Sequence, residues 1–236
     1  RPAGPPGPPE RSQCLSFLIP HLLRLSGFGK RRRPSRFRPL AGESKSTTIA
    51  ARLNQGAAAH TMVRMPARRI LELGDPMLRR VSEEVPRPEE AKLIVRDLRA
   101  TLHQFQTTHG FGRGISAIQI GEPKRIIYIE TGGASHVLLN PRLQWQSEEK
   151  FLLWDDCFSF PDLLVWVERA VSVHVRSQDL SGNWNMLEAT GPFSELLQHE
   201  LDHLDGILAV DRAVDKTGLC TRAEYERRYG PPARNS

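Results

Sequence analysis

Cysteine is scarce in this chain of 236 residues, and long apolar runs are missing from it. Its three cysteines stand at positions 14, 157 and 220. They are too few and too far apart for the disulfide framework of a small secreted domain, so the sequence favours a reducing compartment. The most apolar stretch, residues 14–25, is interrupted by a proline, a histidine and an arginine, whereas a membrane-spanning helix needs about 18 or more apolar residues in succession. We therefore expect no membrane association.

Acidic residues are almost absent from the first quarter of the chain. Residues 1–61 contain 11 Lys and Arg against two Glu, a charge of +9, so the rest of the chain carries −3 of the total of +6. The basic excess therefore gives no support to the remainder as a nucleic-acid binder. This Pro-, Arg- and Ser-rich leader is predicted to be disordered. Three interpretations remain open: an organellar transit peptide, a flexible tail, or translated sequence upstream of a start at Met62.

Residues 62–236 contain enough apolar residues in periodic patterns to predict one folded domain. Asp75-Pro76 predicts a short helix to about Val81, and Pro88 begins a longer helix to about Thr107. Strands are predicted at 125–130, 136–140, 151–154, 164–168, 171–176 and 184–189. Further helices are predicted over 192–204, ended by Gly206, and from Thr221. This order is typical of an α+β fold with a largely antiparallel sheet.

The segment Gln198-His-Glu-Leu-Asp-His-Leu-Asp-Gly206 predicts a metal site. In a helix, His199 and His203 lie one turn apart on one face, so their imidazoles can bind a single cation. Glu200 projects about 100° around the helix, within reach of a water at that cation. Two neutral ligands, an adjacent base and an open coordination position are what metal-dependent hydrolysis requires.

This motif does not identify the third protein ligand of the metal. The longer metzincin motif is excluded, because Ala209 stands where its third histidine is required. Glu224 would serve in a thermolysin-like enzyme, and Cys157 is the other candidate. Cys14 and Cys220 are interpreted as bystanders.

Three motifs in a fixed order carry a resemblance to a known family. They are Gly112-Arg-Gly-Ile-Ser-Ala-Ile-Gln-Ile-Gly121, Cys157-Phe-Ser159 and His199-Glu-Leu-Asp-His203. With these motifs the chain resembles the peptide deformylase family over roughly residues 69–215. The resemblance implies a fold in which mostly antiparallel sheets pack around a central metal-binding helix.

The resemblance also implies a role for individual residues. Cys157, His199 and His203 would bind one divalent metal per chain, which in the family is usually Fe²⁺ and can be replaced by Zn²⁺, Ni²⁺ or Co²⁺. Glu200 would be the general acid and base. The side-chain amide of Gln119 and the backbone N–H of Phe158 would stabilise the oxyanion.

The resemblance also implies that the glycine motif and the residue after Cys157 bind the substrate. Gly112 and Gly114, together with Phe158, would allow close approach of a peptide backbone, which could hydrogen-bond beside the glycine turn.

The implied reaction removes the N-formyl group from the formyl-methionine of newly synthesised polypeptides and releases formate. The expected partners are N-formylmethionyl nascent peptides, met at the ribosome by a monomer that needs neither a membrane nor a specific nucleic acid. Formyl-methionine initiation restricts such an enzyme to the bacterial cytoplasm or, if the leader is a transit peptide, to a mitochondrion or plastid.

Five positions depart from the family pattern. Asp155-Asp156 replaces a frequent Glu-Gly; Asp155 is expected to pair with a basic group such as Arg169, and Asp156 to add a charge beside the metal. Ile118 stands where proline is frequent, and Phe158 where leucine is frequent. Arg113 occupies a slot that is usually apolar, where we expect it to face solvent or substrate carbonyls. These departures concern substrate preference and rate more than metal binding.

Two alternative functions come from other classes. One is a zinc peptidase that uses His199, His203 and Glu224. The other is a non-catalytic ribosome- or RNA-associated factor that uses the basic leader, against which the complete set of ligands and base argues.

Overall fold

The computed structural model describes residues 67–230. The predicted leader, residues 1–61, lies outside the described residues, so its predicted disorder stays a prediction. Across the described range, none of the helices has the length and apolar composition that crossing a membrane requires.

Three α-helices are present in the described part of the chain: α1 at Pro88–His109, α2 at Pro192–Leu204 and α3 at Arg222–Tyr229. Their starts agree with the prediction, since prolines occupy the first positions of α1 and α2 and the side chain of Thr221 caps α3. The short helix after Asp75 is a 3₁₀ turn, Pro76–Arg79, in which the Asp75 side chain accepts the N–H of Met77. Two more 3₁₀ turns lie at Ala117–Ile120 and Ala209–Arg212.

Two antiparallel sheets hold the strands between these helices. The strands are β1 Gly114–Ser116, β2 Ile126–Thr131, β3 Ala134–Gln146, β4 Lys150–Asp156, β5 Leu163–Ala170, β6 Ser172–Gln178, β7 Trp184–Thr190 and β8 Leu219–Thr221. One sheet has the order β1-β2-β3-β6-β7 and the other β4-β5-β8. All six strand pairs are antiparallel. The predicted α+β class with antiparallel sheets is therefore confirmed.

Helix α2 packs against the five-stranded sheet and is buried along most of its length. Its leucines share a core cluster with inward-facing residues of β2, β3 and β6, among them Ile127, Leu138, Val173 and Val175. Of its 13 residues, ten are buried, including polar ones. A helix that buries histidines, a glutamate and an aspartate needs partners for them, which singles out α2 as the element that carries chemistry.

Helix α1 covers another part of the same sheet. Leu98 and Leu102 pack in a second cluster with residues of β1, β2 and the following 3₁₀ turn. The third cluster contains Cys157 and lies on β4, β5 and the 3₁₀ turn at Ala209–Arg212. The segment after β4 is thus packed on the second sheet, close to the helix that bears the histidines.

Candidate metal centre

The two histidines of α2 meet as their spacing predicts. The Nε2 atoms of His199 and His203 lie 3.2 Å apart, and both side chains are buried. Burial together with the neighbouring His199 lowers the pKa of His203 well below its ordinary value, so its imidazole is neutral, as a metal ligand must be.

Cys157 supplies a third donor from the turn that follows β4. Its Sγ lies 3.2 Å from Nε2 of His203, and the residue is 1% exposed. One donor atom from each of the three residues lies within 4.8 Å of the others. Two imidazole nitrogens at tetrahedral sites about 2.0–2.1 Å from one zinc ion would be about 3.3 Å apart. The spacing and the soft thiolate-imidazole donor set therefore fit a late first-row divalent metal.

The carboxylate of Asp155 contacts the ring of His199. Its Oδ1 lies 2.9 Å from Nδ1 of His199, so it faces the ring nitrogen that does not face His203. Burial disfavours both charges, but their mutual attraction outweighs it, so the pKa of His199 is raised and that of Asp155 is lowered to about 2. Arg169 donates to Asp155 at 2.9 Å, which confirms the pairing predicted for Asp155.

Glu200 lies on the side of α2 that faces β1. Its Oε2 accepts a hydrogen bond from the hydroxyl of Ser116 at 2.5 Å. Burial raises the pKa of Glu200 to about 7, although His199 and Ser116 oppose the shift. Ser116 was not singled out from the sequence, although it lies inside the glycine motif.

Gln119 lies beside the thiol. Its Oε1 accepts the backbone N–H of Ser116 at 2.9 Å, which fixes the orientation of the amide. Its Nε2 is then directed to the other side, 3.7 Å from Sγ of Cys157 and 3.4 Å from Oγ of Ser159. The amide therefore lies next to the thiol, and the oxyanion role that the resemblance implies for it stays a prediction.

Phe158 follows the cysteine and packs away from it. Its ring stacks on Phe105 of α1 with centroids 3.9 Å apart. Among the described residues, no acceptor binds its backbone N–H, which leaves that donor free beside the thiol. A Cβ on Gly112 would lie 2.5 Å from Cζ of Phe158, so only glycine fits there. The predicted substrate-binding residues Gly112 and Phe158 are thus in contact.

Two of the departing charged residues have partners within the protein. Arg113, whose side chain is 23% exposed, donates to Glu195 at 2.7 Å and to the carbonyl of Pro192 at 2.9 Å. Asp156 accepts a hydrogen bond from Arg222 at 2.8 Å, so the charge that it adds next to Cys157 has a partner. The sequence did not identify Glu195, although it precedes His199 by one helical turn.

The alternative ligand Glu224 does not join the histidines. It lies on α3, where it bonds to Arg227 and Arg228, and it belongs to neither cluster of potential metal ligands in the described range. The zinc peptidase that required it has no support in the structure.

The family model for polypeptide deformylase matches residues 67–218. The chain belongs to the polypeptide deformylase family. Members of this family depend on a metal. The chain is a hydrolase that processes the N-termini of proteins during protein biosynthesis.

Curated and solved deformylases agree with the match. The peptide deformylase of Mesorhizobium japonicum is 37% identical over 153 residues, which cover 62% of this chain and 84% of that protein. The crystal structure of the deformylase from Thermotoga maritima superposes with a TM-score of 0.60 at 28% identity, over 64% of this chain and 99% of that one. A structure from Synechococcus elongatus in complex with actinonin gives 0.61 at 28% identity, over 80% of this chain and 97% of that one.

Proposed function

We propose that this chain removes the N-formyl group from the first methionine of new polypeptides at the cluster of Cys157, His199 and His203. The observation that carries the proposal is the convergence of one thiol and two imidazole nitrogens next to a buried carboxylate, Glu200, in a chain of the deformylase family. Such a set combines metal ligands with a separate base.

Glu200 performs the proton transfers. Its carboxylate accepts a proton from the attacking water and returns it to the amine that leaves. Burial brings the pKa of Glu200 close to neutrality, where a group can both accept and release a proton at working pH. The Ser116 hydroxyl holds one carboxylate oxygen, which fixes the direction in which the other points. When bound, the metal supplies Lewis-acid polarisation.

Two donors stabilise the charge that develops on the formyl oxygen. They are the Nε2–H group of Gln119, orientated by Ser116, and the backbone N–H of Phe158, which has no other acceptor in the described range. Donors that are fixed before reaction cost no reorganisation, and each contributes about 2.7–4 kcal/mol by analogy with oxyanion-hole deletions.

The peptide substrate binds along β1. This three-residue strand is the edge of the five-stranded sheet, so its free side can accept an additional strand. A Cβ on Gly114 would lie 2.9 Å from Oε1 of Glu200, which places the edge directly beside the base. A substrate strand bound there has its N-terminus near the reacting groups.

The finer assignments belong to the same proposal. The metal is Fe²⁺ by resemblance to the family, and Zn²⁺, Ni²⁺ or Co²⁺ would bind the same donors. The enzyme acts as a monomer on nascent chains at the ribosome. It works in the bacterial cytoplasm, or in a mitochondrion or plastid if residues 1–61 are a transit peptide.

The test is formate release from a formyl-Met-Ala-Ser peptide by anaerobically purified protein whose metal content is measured in parallel. We expect about one divalent metal per chain and stoichiometric formate. E200Q keeps the ligands, so it should retain metal and lose about 10²–10⁴-fold in kcat. Metal-replete wild type that releases no formate would refute the proposal.

A further inference from the structure

Arg222 begins α3, just beyond residues 67–218 that match the family, yet its side chain reaches the proposed site. Its Nε donates to the carbonyl of Pro161 at 2.7 Å, and a terminal N–H group donates to Oδ2 of Asp156 at 2.8 Å. The guanidinium also lies over the ring of Phe111, with its Cζ 4.3 Å from the ring centroid. One arginine, whose side chain is 15% exposed, therefore links segments that lie far apart in the sequence.

The partners of Arg222 adjoin the proposed site on two sides. Phe111 begins the glycine segment, residues 111–114, and Asp156 begins the cysteine turn, residues 156–161. In the proposed function the peptide pairs with β1, which starts at the end of the glycine segment, and its formyl oxygen meets a backbone N–H of the cysteine turn. The peptide therefore lies between the two segments that Arg222 joins.

The backbone of Arg222 is itself fixed on the three-stranded sheet. Its N–H donates to the carbonyl of Asp162 at 2.8 Å, and the side chain of Thr221 caps α3. Further along the helix, the ring of Tyr225 packs edge-on against Trp154 of β4, with centroids 6.0 Å apart. An arginine held at its backbone and at two acceptors loses little side-chain entropy when it keeps its ring contact.

We propose that Arg222 is a positioning residue of the peptide site: it holds the cysteine turn against the glycine segment in the arrangement that binds the formyl peptide. It acts through Phe111 and Asp156 rather than by touching the peptide. The inference rests on the proposed deformylase function and adds to it a supporting residue from α3, outside the residues that match the family.

The physical basis is the direction of the contacts that a guanidinium makes. It can donate in its plane to a carboxylate and a carbonyl while its face stacks on an aromatic ring, which an ammonium group cannot do. Packing of Phe158 against Gly112 also joins the two segments, but nonpolar packing has no preferred direction.

The two segments belong to different sheets, because the glycine segment leads into the five-stranded sheet and the cysteine turn follows a strand of the other. Without Arg222 they are free to shift against each other. The peptide then binds only to the fraction of molecules in the correct arrangement, and KM rises by the inverse of that fraction.

Steady-state formate release from formyl-Met-Ala-Ser by the metal-loaded full chain tests the inference. R222M removes the hydrogen bonds and the stack, and F111L removes only the ring face. Both variants should raise KM about tenfold and keep kcat per bound metal within about threefold of wild type, because the ligands and Glu200 are untouched.

Two further variants serve as comparisons. F111Y keeps a ring face, so its KM should lie much nearer to that of wild type than to that of F111L. R227M removes an exposed guanidinium from the same helix and should leave KM unchanged.

KM is the readout that separates positioning from stability. A variant that is merely less stable contains less active enzyme, which lowers kcat and leaves KM unchanged. A wild-type KM in F111L would overturn the inference whether or not R222M folds, and so would equal rises of KM in R222M and R227M or in F111L and F111Y. Metal-loaded wild type that releases no formate would instead overturn the deformylase function.

Discussion

Gly114 illustrates how little space separates the proposed substrate edge from the base. A Cβ at this position would meet Oε1 of Glu200 at 2.9 Å and Cδ1 of Leu196 at 3.1 Å. We predict that G114A displaces the carboxylate and lowers kcat/KM for a formyl-Met peptide about 100-fold, as small displacements of reacting groups do. Formate release and metal content are the measurements, and the metal should remain bound.

The matched control for this substitution is G132A, in the turn between β2 and β3. Gly132 has φ +59°, so alanine there is strained, but its Cβ would meet nothing within 4 Å. G132A should lose some stability and keep full activity. Equal activity losses in the two variants would show that G114A acts through stability rather than through Glu200.

Tyr128 makes a separate prediction about alkaline stability. Burial, together with the Glu130 carboxylate that accepts a hydrogen bond from its hydroxyl, raises the pKa of Tyr128 from 10 to about 12. Below pH 10 the phenol is neutral in both states. Between about pH 10 and 12 the unfolded chain releases the proton and the folded chain does not, so the free energy of unfolding should fall as pH rises.

Denaturant unfolding of wild type and Y128F over this pH range is the measurement. Y128F has no phenol to titrate, so its decline should be smaller. Identical declines in the two proteins would contradict the assignment.

At the scale of elements, one buried arginine links two strands of the three-stranded sheet to the helix that carries the histidines. Arg169 of β5 is 4% exposed and bonds to Asp155 of β4 and to Asp202 of α2. R169M would leave the buried carboxylate of Asp155 without its arginine, while Asp202 would keep Arg212, and we expect a loss of about 3–5 kcal/mol in the free energy of unfolding. Because Asp155 also contacts His199, we expect a loss of about 10–100-fold in metal affinity.

An exposed pair on the same two strands provides the control. Lys150 of β4 and Glu168 of β5 lie 3.1 Å apart with side chains about half exposed. K150M should cost less than about 1 kcal/mol and leave metal affinity unchanged. Denaturant titration with metal-binding measurements on both variants decides the matter, and similar losses would contradict a special role for Arg169.

The same elements show where sequence reasoning succeeds and where it stops. Helices α1 and α2 were predicted because each is long enough to repeat its apolar period, and each begins at a proline. Strands β1 and β8, of three residues each, are too short to show a period. Strand β3 extends well beyond the predicted 136–140, because two register shifts interrupt its alternation.

Side-chain pairings also differ in whether the sequence predicts them. The pairing of Asp155 with Arg169 was expected from the sequence, and it joins residues 14 apart on the paired strands β4 and β5. The register sets Asp155 opposite Val165, so Arg169 lies four residues further along β5. The pairing of Arg113 with Glu195 joins residues 82 apart on a sheet edge and a helix, and no local pattern indicates it. The one sequence signal for Glu195 was its position four residues before His199, which is one helical turn.

At the scale of the whole molecule, every residue of the proposed site lies within the part of the chain that matches the family, residues 67–218. We therefore predict that deleting residues 1–61 leaves deformylation of a formyl-Met peptide unchanged. Steady-state formate release from the full and shortened chains is the measurement. A shortened chain that keeps its metal and loses activity would show that the leader contributes to catalysis.

The same deletion tests the RNA-associated alternative. If the basic leader were the functional part, the full chain would bind RNA with strong salt dependence, and the deletion would abolish that binding. Absence of RNA binding by the full chain leaves the enzyme as the function.

X-ray absorption at the metal edge of the zinc-loaded protein tests the central claim most directly, because it reports the atoms that surround the cation. The account predicts one sulfur at about 2.3 Å and two imidazole nitrogens at about 2.0–2.1 Å, with the sulfur lost in C157A. A first shell without sulfur in the wild-type protein would contradict it.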